Sequence, residues 1–77
     1  MRIDDFSPDR GHRVFIPNHE LQQFCMHVAN MTQEDREYYS PLSSDGIPTD
    51  AGQHFFIGSD RTRDEIMTFL THVIIAD

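Results

Sequence analysis

The stretch GQHFFIGSDRTRDEIMTFLTHVI, residues 52–74, constrains the chain more than any other segment, because a short apolar run, a glycine turn and an apolar stripe at helical spacing follow one another without interruption. Phe55, Phe56 and Ile57 predict a strand. Ile66, Phe69, Leu70 and Val73 recur at i, i+3, i+4 and i+7, with Ile74 widening the stripe, and so predict one face of a helix. Thr62 and Glu65 stand at capping-box spacing and Asp64 adds first-turn charge, which places the helix start near Thr62. The turn at Gly58 and Ser59 offers amides and a positive dipole end to an anion, with Arg61 and Arg63 beside it. Asp60, Asp64 and Glu65 compete for the same donors, and neither GxxxxGK[ST] nor GxGxxG is present, so the turn is expected to fold the chain and to hold no ligand.

A similar unit lies upstream. HRVFIP, residues 12–17, predicts a strand stopped by proline, and Asn18 is expected to cap a helix running to about Asn30, with Leu21, Phe24, Cys25, Val28 and Met31 on one stripe. LQQFCMHV and IMTFLTHV share an apolar residue, Phe, an apolar residue, His and Val; the strands align at an offset of 41 and the helices at 45. Amphipathic helices resemble one another by necessity, so the expectation is two βα units of similar construction. Between them, Thr32 and Asp35 open a short helix or 3₁₀ turn that stops before Pro41, and residues 43–52 (SSDGIPTDAG) read as a loop. Residues 1–11 read as a polar arm or edge strand, 12–31 as the first βα unit, 32–52 as an acidic connection and 53–77 as the second βα unit.

The expected fold is therefore a small α+β (small α/β) domain over residues 1–77, of order (β)βα(α)βα, with two amphipathic helices packed on one face of a two- to three-stranded sheet. Phe24, Val28, Phe56, Ile57, Phe69, Leu70 and Val73 are its expected core, and Cys25, on the first stripe, is read as a small core hydrophobe. With so few strands, a second copy could complete the sheet edges as a homodimer.

Charge narrows the partners. Thirteen acidic residues face six arginines and no lysine, a net charge of −7, which repels phosphate backbones and attracts basic protein surfaces. One cysteine forms no internal disulfide and suits a reducing cytosol; the amino terminus lacks a signal-peptide apolar region, and no run approaches the length of a membrane span. The expectation is a cytoplasmic protein, in the host cytoplasm if its origin is viral, with neither nucleic acid nor membrane as a direct partner.

Chemistry is sparse. His12, His19, His27, His54 and His72 form no HxxxH or HExxH pair and there is no CxxC, so no metal or cofactor is expected. Ser59 lacks the glycines of a nucleophile elbow, and Asp45 and Asp50 lack the alternation of a calcium loop, so no catalytic residue is expected. REYYSP differs in kind, because of two adjacent tyrosines only one can face the core. An exposed Tyr38 or Tyr39 ringed by Glu34, Asp35 and Glu37, with Asp45 and Asp50 in the following loop, has the composition of a partner-binding patch.

In size, acidity and lack of catalytic motifs the chain resembles, as a class, the small inhibitors that bacteriophages encode against host nucleases and CRISPR surveillance complexes, some of which imitate nucleic-acid charge. That resemblance implies a non-enzymatic module that docks on a basic surface of a larger protein or protein–nucleic acid complex. The alternatives are a small enzyme or ligand-binding protein built on His54, His72 and carboxylates, or a structural subunit of a larger assembly.

Overall fold

The aromatic and β-branched residues of the two apolar runs form the central strands of an antiparallel sheet in the computed structural model, which describes residues 1–74 apart from Asp45 and Pro48. The elements are β1 (Arg2–Ser7), β2 (Gly11–Pro17), α1 (Asn18–Ala29), α2 (Gln33–Tyr38), β3 (Leu42–Ser44), β4 (Gly52–Ile57) and α3 (Arg63–Ile74). The strands lie in the order β1-β2-β4-β3, each antiparallel to its neighbour. The architecture is mixed α+β, but the described residues hold four strands where two or three were expected. β1 is a full edge strand, and β3 includes Ser43 and Ser44, which read as loop. LSS has little strand preference of its own; it is a strand because Leu42, Ser43 and Ser44 pair with Ile57, Phe56 and Phe55.

Successive strand side chains point to opposite faces, and this divides the apolar runs. Val14, Ile16 and Ile57 join Phe24, Ile66, Phe69, Leu70 and Val73 in one buried cluster, with Val28 and Phe55 partly buried against it. Phe15 and Phe56 turn to the other face, where the Arg2 guanidinium lies 4.5 Å from the Phe15 ring centroid and that of Arg10 lies 5.2 Å from Phe56. Phe56 is thus buried outside the core to which the sequence assigned it, beneath an arginine and not a helix. Cys25 is exposed, contrary to expectation. Its stripe spacing is helical, but α1 lies over β2 and β4, and the sheet narrows to the three-residue β3 beyond them. Asn18 is not the cap either: Pro17 takes that position without a side-chain bond, and Asn18, the first helical residue, donates through Nδ2 to the Asp50 carbonyl at 2.6 Å.

The echo between the two units has a spatial counterpart. At the offset of 41, Gly11, Val14, Phe15 and Ile16 match Gly52, Phe55, Phe56 and Ile57. Val14 pairs directly with its own match, Phe55, and the strand order reads the same when the units are exchanged, so an approximate two-fold axis through that pair relates β1β2α1 to β3β4α3. A Cβ on Gly11 would stand 2.5 Å from the Ile57 carbonyl oxygen, and one on Gly52 would collide with that of Ile16. Two matched glycines therefore admit two matched carbonyls. At the helix offset of 45, Phe24 matches Phe69, and Cys25 stands where the second unit has the fully buried Leu70.

Candidate protein-binding site

Helix α2 is short and set by its ends. Thr32 Oγ1 accepts from the Asp35 amide at 3.1 Å, Glu34 and Asp35 complement the dipole of the first turn, and the Tyr39 amide closes the helix on the Asp35 carbonyl at 3.1 Å. Arg36 Nη2 donates to the Val28 carbonyl at 2.7 Å and ties α2 to the end of α1. The chain then passes through the cis Ser40–Pro41 peptide into β3. Gly58, at φ 64°, donates its amide to the carbonyls of Tyr39 at 3.0 Å and Pro41 at 3.1 Å. The glycine turn after β4 spends that donor on the chain itself, clamping the α2–β3 link.

The tyrosines divide as the sequence requires. Tyr39 packs its ring 4.3 Å from Phe69, and burial, followed by the neighbouring Tyr38, Asp35 and Glu65, pushes its phenol above the ordinary value. Tyr38 is 48% exposed and stands edge-on to Tyr39 with ring centroids 4.9 Å apart. Its hydroxyl donates to Glu65 Oε2 at 2.9 Å, while the Arg61 guanidinium lies 4.1 Å from its ring centroid. Glu65 is shared: Oε1 accepts from the Thr62 amide and hydroxyl at 3.2 Å, completing the expected capping box, and Oε2 holds Tyr38. The hydrogen bond from Tyr38, then that from the Thr62 backbone, keeps the Glu65 carboxyl below its usual range. His12 steadies the loop before α3, with Nε2 2.6 Å from the Arg61 carbonyl oxygen; a carbonyl only accepts, so this nitrogen carries the proton.

An open cleft of about 290 Å³ results, lined by Tyr38, Tyr39, Asp64, Glu65 and Thr68. Glu34, Asp35 and Glu37 are exposed on α2 beside it, with Glu37 accepting from Gln33 Nε2 at 3.2 Å. Asp64 and Glu65, which the sequence assigned only to helix capping, are thus part of the acidic surface. No linear signal joins them to α2; the contact of Tyr39 with Phe69 does. Asp50 does not belong there. It lies just before β4, whereas Tyr39 meets the chain just after β4, so a strand length of about 17 Å separates them. Asp45 lies outside the described residues.

The histidine arrangement that an enzyme would need takes another form. His54 Nε2 lies 2.8 Å from Asp4 Oδ2 and its ring 5.0 Å from Phe15, on the sheet face away from the core, while His72 is exposed on α3. Partial burial raises the Asp4 pKa, but the hydrogen bonds from Arg2 and His54 outweigh it and hold the carboxyl low. Among the described residues no three His, Cys, Asp or Glu side chains come together as a metal site, and no helix is long and apolar enough to cross a membrane. Comparison with protein-family models, curated proteins and solved structures returned no match.

Proposed function

We propose that the protein is a non-enzymatic protein-binding module whose acidic α2–α3 end docks on a basic surface of a larger protein or protein–nucleic acid complex and blocks or modulates it. The observation that carries this reading is Tyr38, a half-exposed aromatic ring held by Glu65 and Arg61 within a field of Glu34, Asp35, Glu37 and Asp64. A large side chain already fixed in place loses little entropy when a partner covers it, and the surrounding carboxylates steer a cationic surface toward it. The class resemblance to phage-encoded inhibitors supports inhibition as the outcome. An exposed, unpaired Cys25 suits a reducing compartment, so the module acts in the cytoplasm, the host's if its origin is viral.

The enzyme reading called for His54 and His72 to converge with carboxylates; His54 meets Asp4 on the sheet face away from the core, whereas His72 is exposed on α3. A homodimer through β1 is opposed by the irregularity between Ile3 and Asp5 and by the aspartates there, which guard that edge against strand addition.

The test is affinity capture from the native cell, comparing wild-type bait with Tyr38→Ala and with Glu34→Gln/Asp35→Asn/Glu37→Gln. A partner recovered by the wild type and lost with both variants is expected. A partner captured equally by all three contradicts the assignment of the surface.

A further inference from the structure

We infer that the groove between α1 and β3 accepts an extended segment of a partner protein, added as a fifth strand on β3, with a bulky apolar side chain in the groove and a carboxylate beside Arg36. The inference rests on the protein-binding reading above and concerns a separate surface.

Three observations converge there. The first is a broken equivalence. α3 packs against β1, but at the matching place α1 and β3 are parted by an open groove of about 250 Å³ whose lining includes Phe24, Cys25, Val28, Leu42 and Phe55. Cys25 aligns with the fully buried Leu70, so the first unit carries a smaller side chain at the corresponding helix position.

The second is the edge itself. Gly58 donates to the Pro41 carbonyl, the ladder position before Leu42 and Ile57, so hydrogen-bonded pairing in this antiparallel ladder falls next on Ser43 and Phe56. The amides and carbonyls of Leu42 and Ser44 consequently point away from β4. They offer an incoming strand two donors and two acceptors, and alternate side chains of that strand would fall on the groove side. Unlike β1, this edge has no register irregularity and no carboxylate among its residues.

The third is charge. Among the described residues Arg36 is the only ionic side chain lining the groove, its Nη2 is anchored on Val28, and its remaining guanidinium donors suit a carboxylate. An apolar slot, an outward strand edge and a fixed guanidinium together fit an extended, apolar and acidic peptide.

The probe is a displayed library of random heptapeptides selected on the whole protein, followed by amide exchange measured by NMR with one enriched synthetic peptide. Enriched sequences are expected to carry a bulky apolar residue near a carboxylate and to slow exchange at Leu42 and Ser44. Cys25→Leu, which copies the second unit and fills the groove, is expected to weaken the peptide at least about tenfold while leaving the fold intact. Ser44→Pro, which deletes an outward amide, is expected to do the same, with thermal melting as its control. Glu34→Gln/Asp35→Asn/Glu37→Gln, which removes negative charge beside Arg36, should bind the peptide no more weakly than wild type, which separates this groove from the acidic end. No enrichment, enriched peptides that leave Leu42 and Ser44 unprotected, affinity unchanged in Cys25→Leu, or a dimer that protects these amides without peptide would each overturn the inference, and none would touch the acidic docking surface.

Discussion

The Tyr38 hydroxyl donates to Glu65 Oε2 at 2.9 Å across 27 residues of chain, and this bond joins the short acidic helix to the start of the last helix. Tyr39 and Phe69 make the apolar half of the same joint, at 4.3 Å. Together they turn acids from two separate segments into one surface.

If Tyr38 depresses the Glu65 pKa as described, Tyr38→Phe should raise it toward the ordinary value near 4.3. A carboxyl whose folded pKa lies below its unfolded one stabilises above the unfolded value and loses that contribution as pH falls through the folded one. The thermal midpoint of the wild type should therefore fall more steeply than that of Tyr38→Phe below about pH 4.3. Carbon-detected titration of the Glu65 carboxyl checks the cause directly, and identical titration in both proteins would refute it.

Asp4 is likewise held low, by Arg2 and His54, and secures β1 to the sheet face. His54→Ala removes one of these bonds and the ring contact with Phe15. Amide exchange in β1 should quicken about fivefold, corresponding to about 1 kcal/mol, with little change in β4. Unchanged β1 exchange would mean that the strand is held by its backbone ladder alone.

Phe69→Ala should cost about 3–5 kcal/mol, because it opens the core and removes the ring on which Tyr39 rests. Cys25→Ala, on the exposed side of α1, should stay within about 0.5 kcal/mol of wild type. Urea melts of the two variants measure the contrast, and equal costs would contradict the placement of Cys25.

Gly11→Ala and Gly52→Ala each drive a methyl into a carbonyl across the central strand pair. Each should destabilise by about 1–3 kcal/mol in urea melts, Gly11→Ala more than Gly52→Ala because Gly11 also sits at φ 102°, where a side chain strains the backbone. Neutral substitution at either glycine would remove the close approach that relates the two units.

What could be read from the sequence was what neighbouring residues decide among themselves. The Thr62–Glu65 capping box, the Thr32 cap and the Ile66–Val73 stripe are contained within a helical turn or two, and all are present. Ser43 and Ser44 carried no such signal, since their strand exists only through pairing with Phe56 and Phe55. Phe56 was placed in the core because an apolar run does not say which of its members alternate outward. Cys25 was misplaced because periodicity gives the face of a helix and not the extent of the sheet beneath it. At the candidate site, Glu34, Asp35, Glu37 and the tyrosine pair were legible as composition. The share of Asp64 and Glu65, and the removal of Asp50 to the far end of β4, depend on how α2 docks on α3 and could be read from neither segment alone.

The central claim, that the acidic α2–α3 end binds a basic partner with Tyr38 as its anchor, is tested most directly by association and dissociation rates with the captured partner across a salt series. Glu34→Gln/Asp35→Asn/Glu37→Gln should slow association and flatten its salt dependence, because the charges act before contact. Tyr38→Ala should leave association nearly unchanged and speed dissociation, at a cost of about 2 kcal/mol or more. Salt-independent association with rates unaltered by either variant would contradict the account.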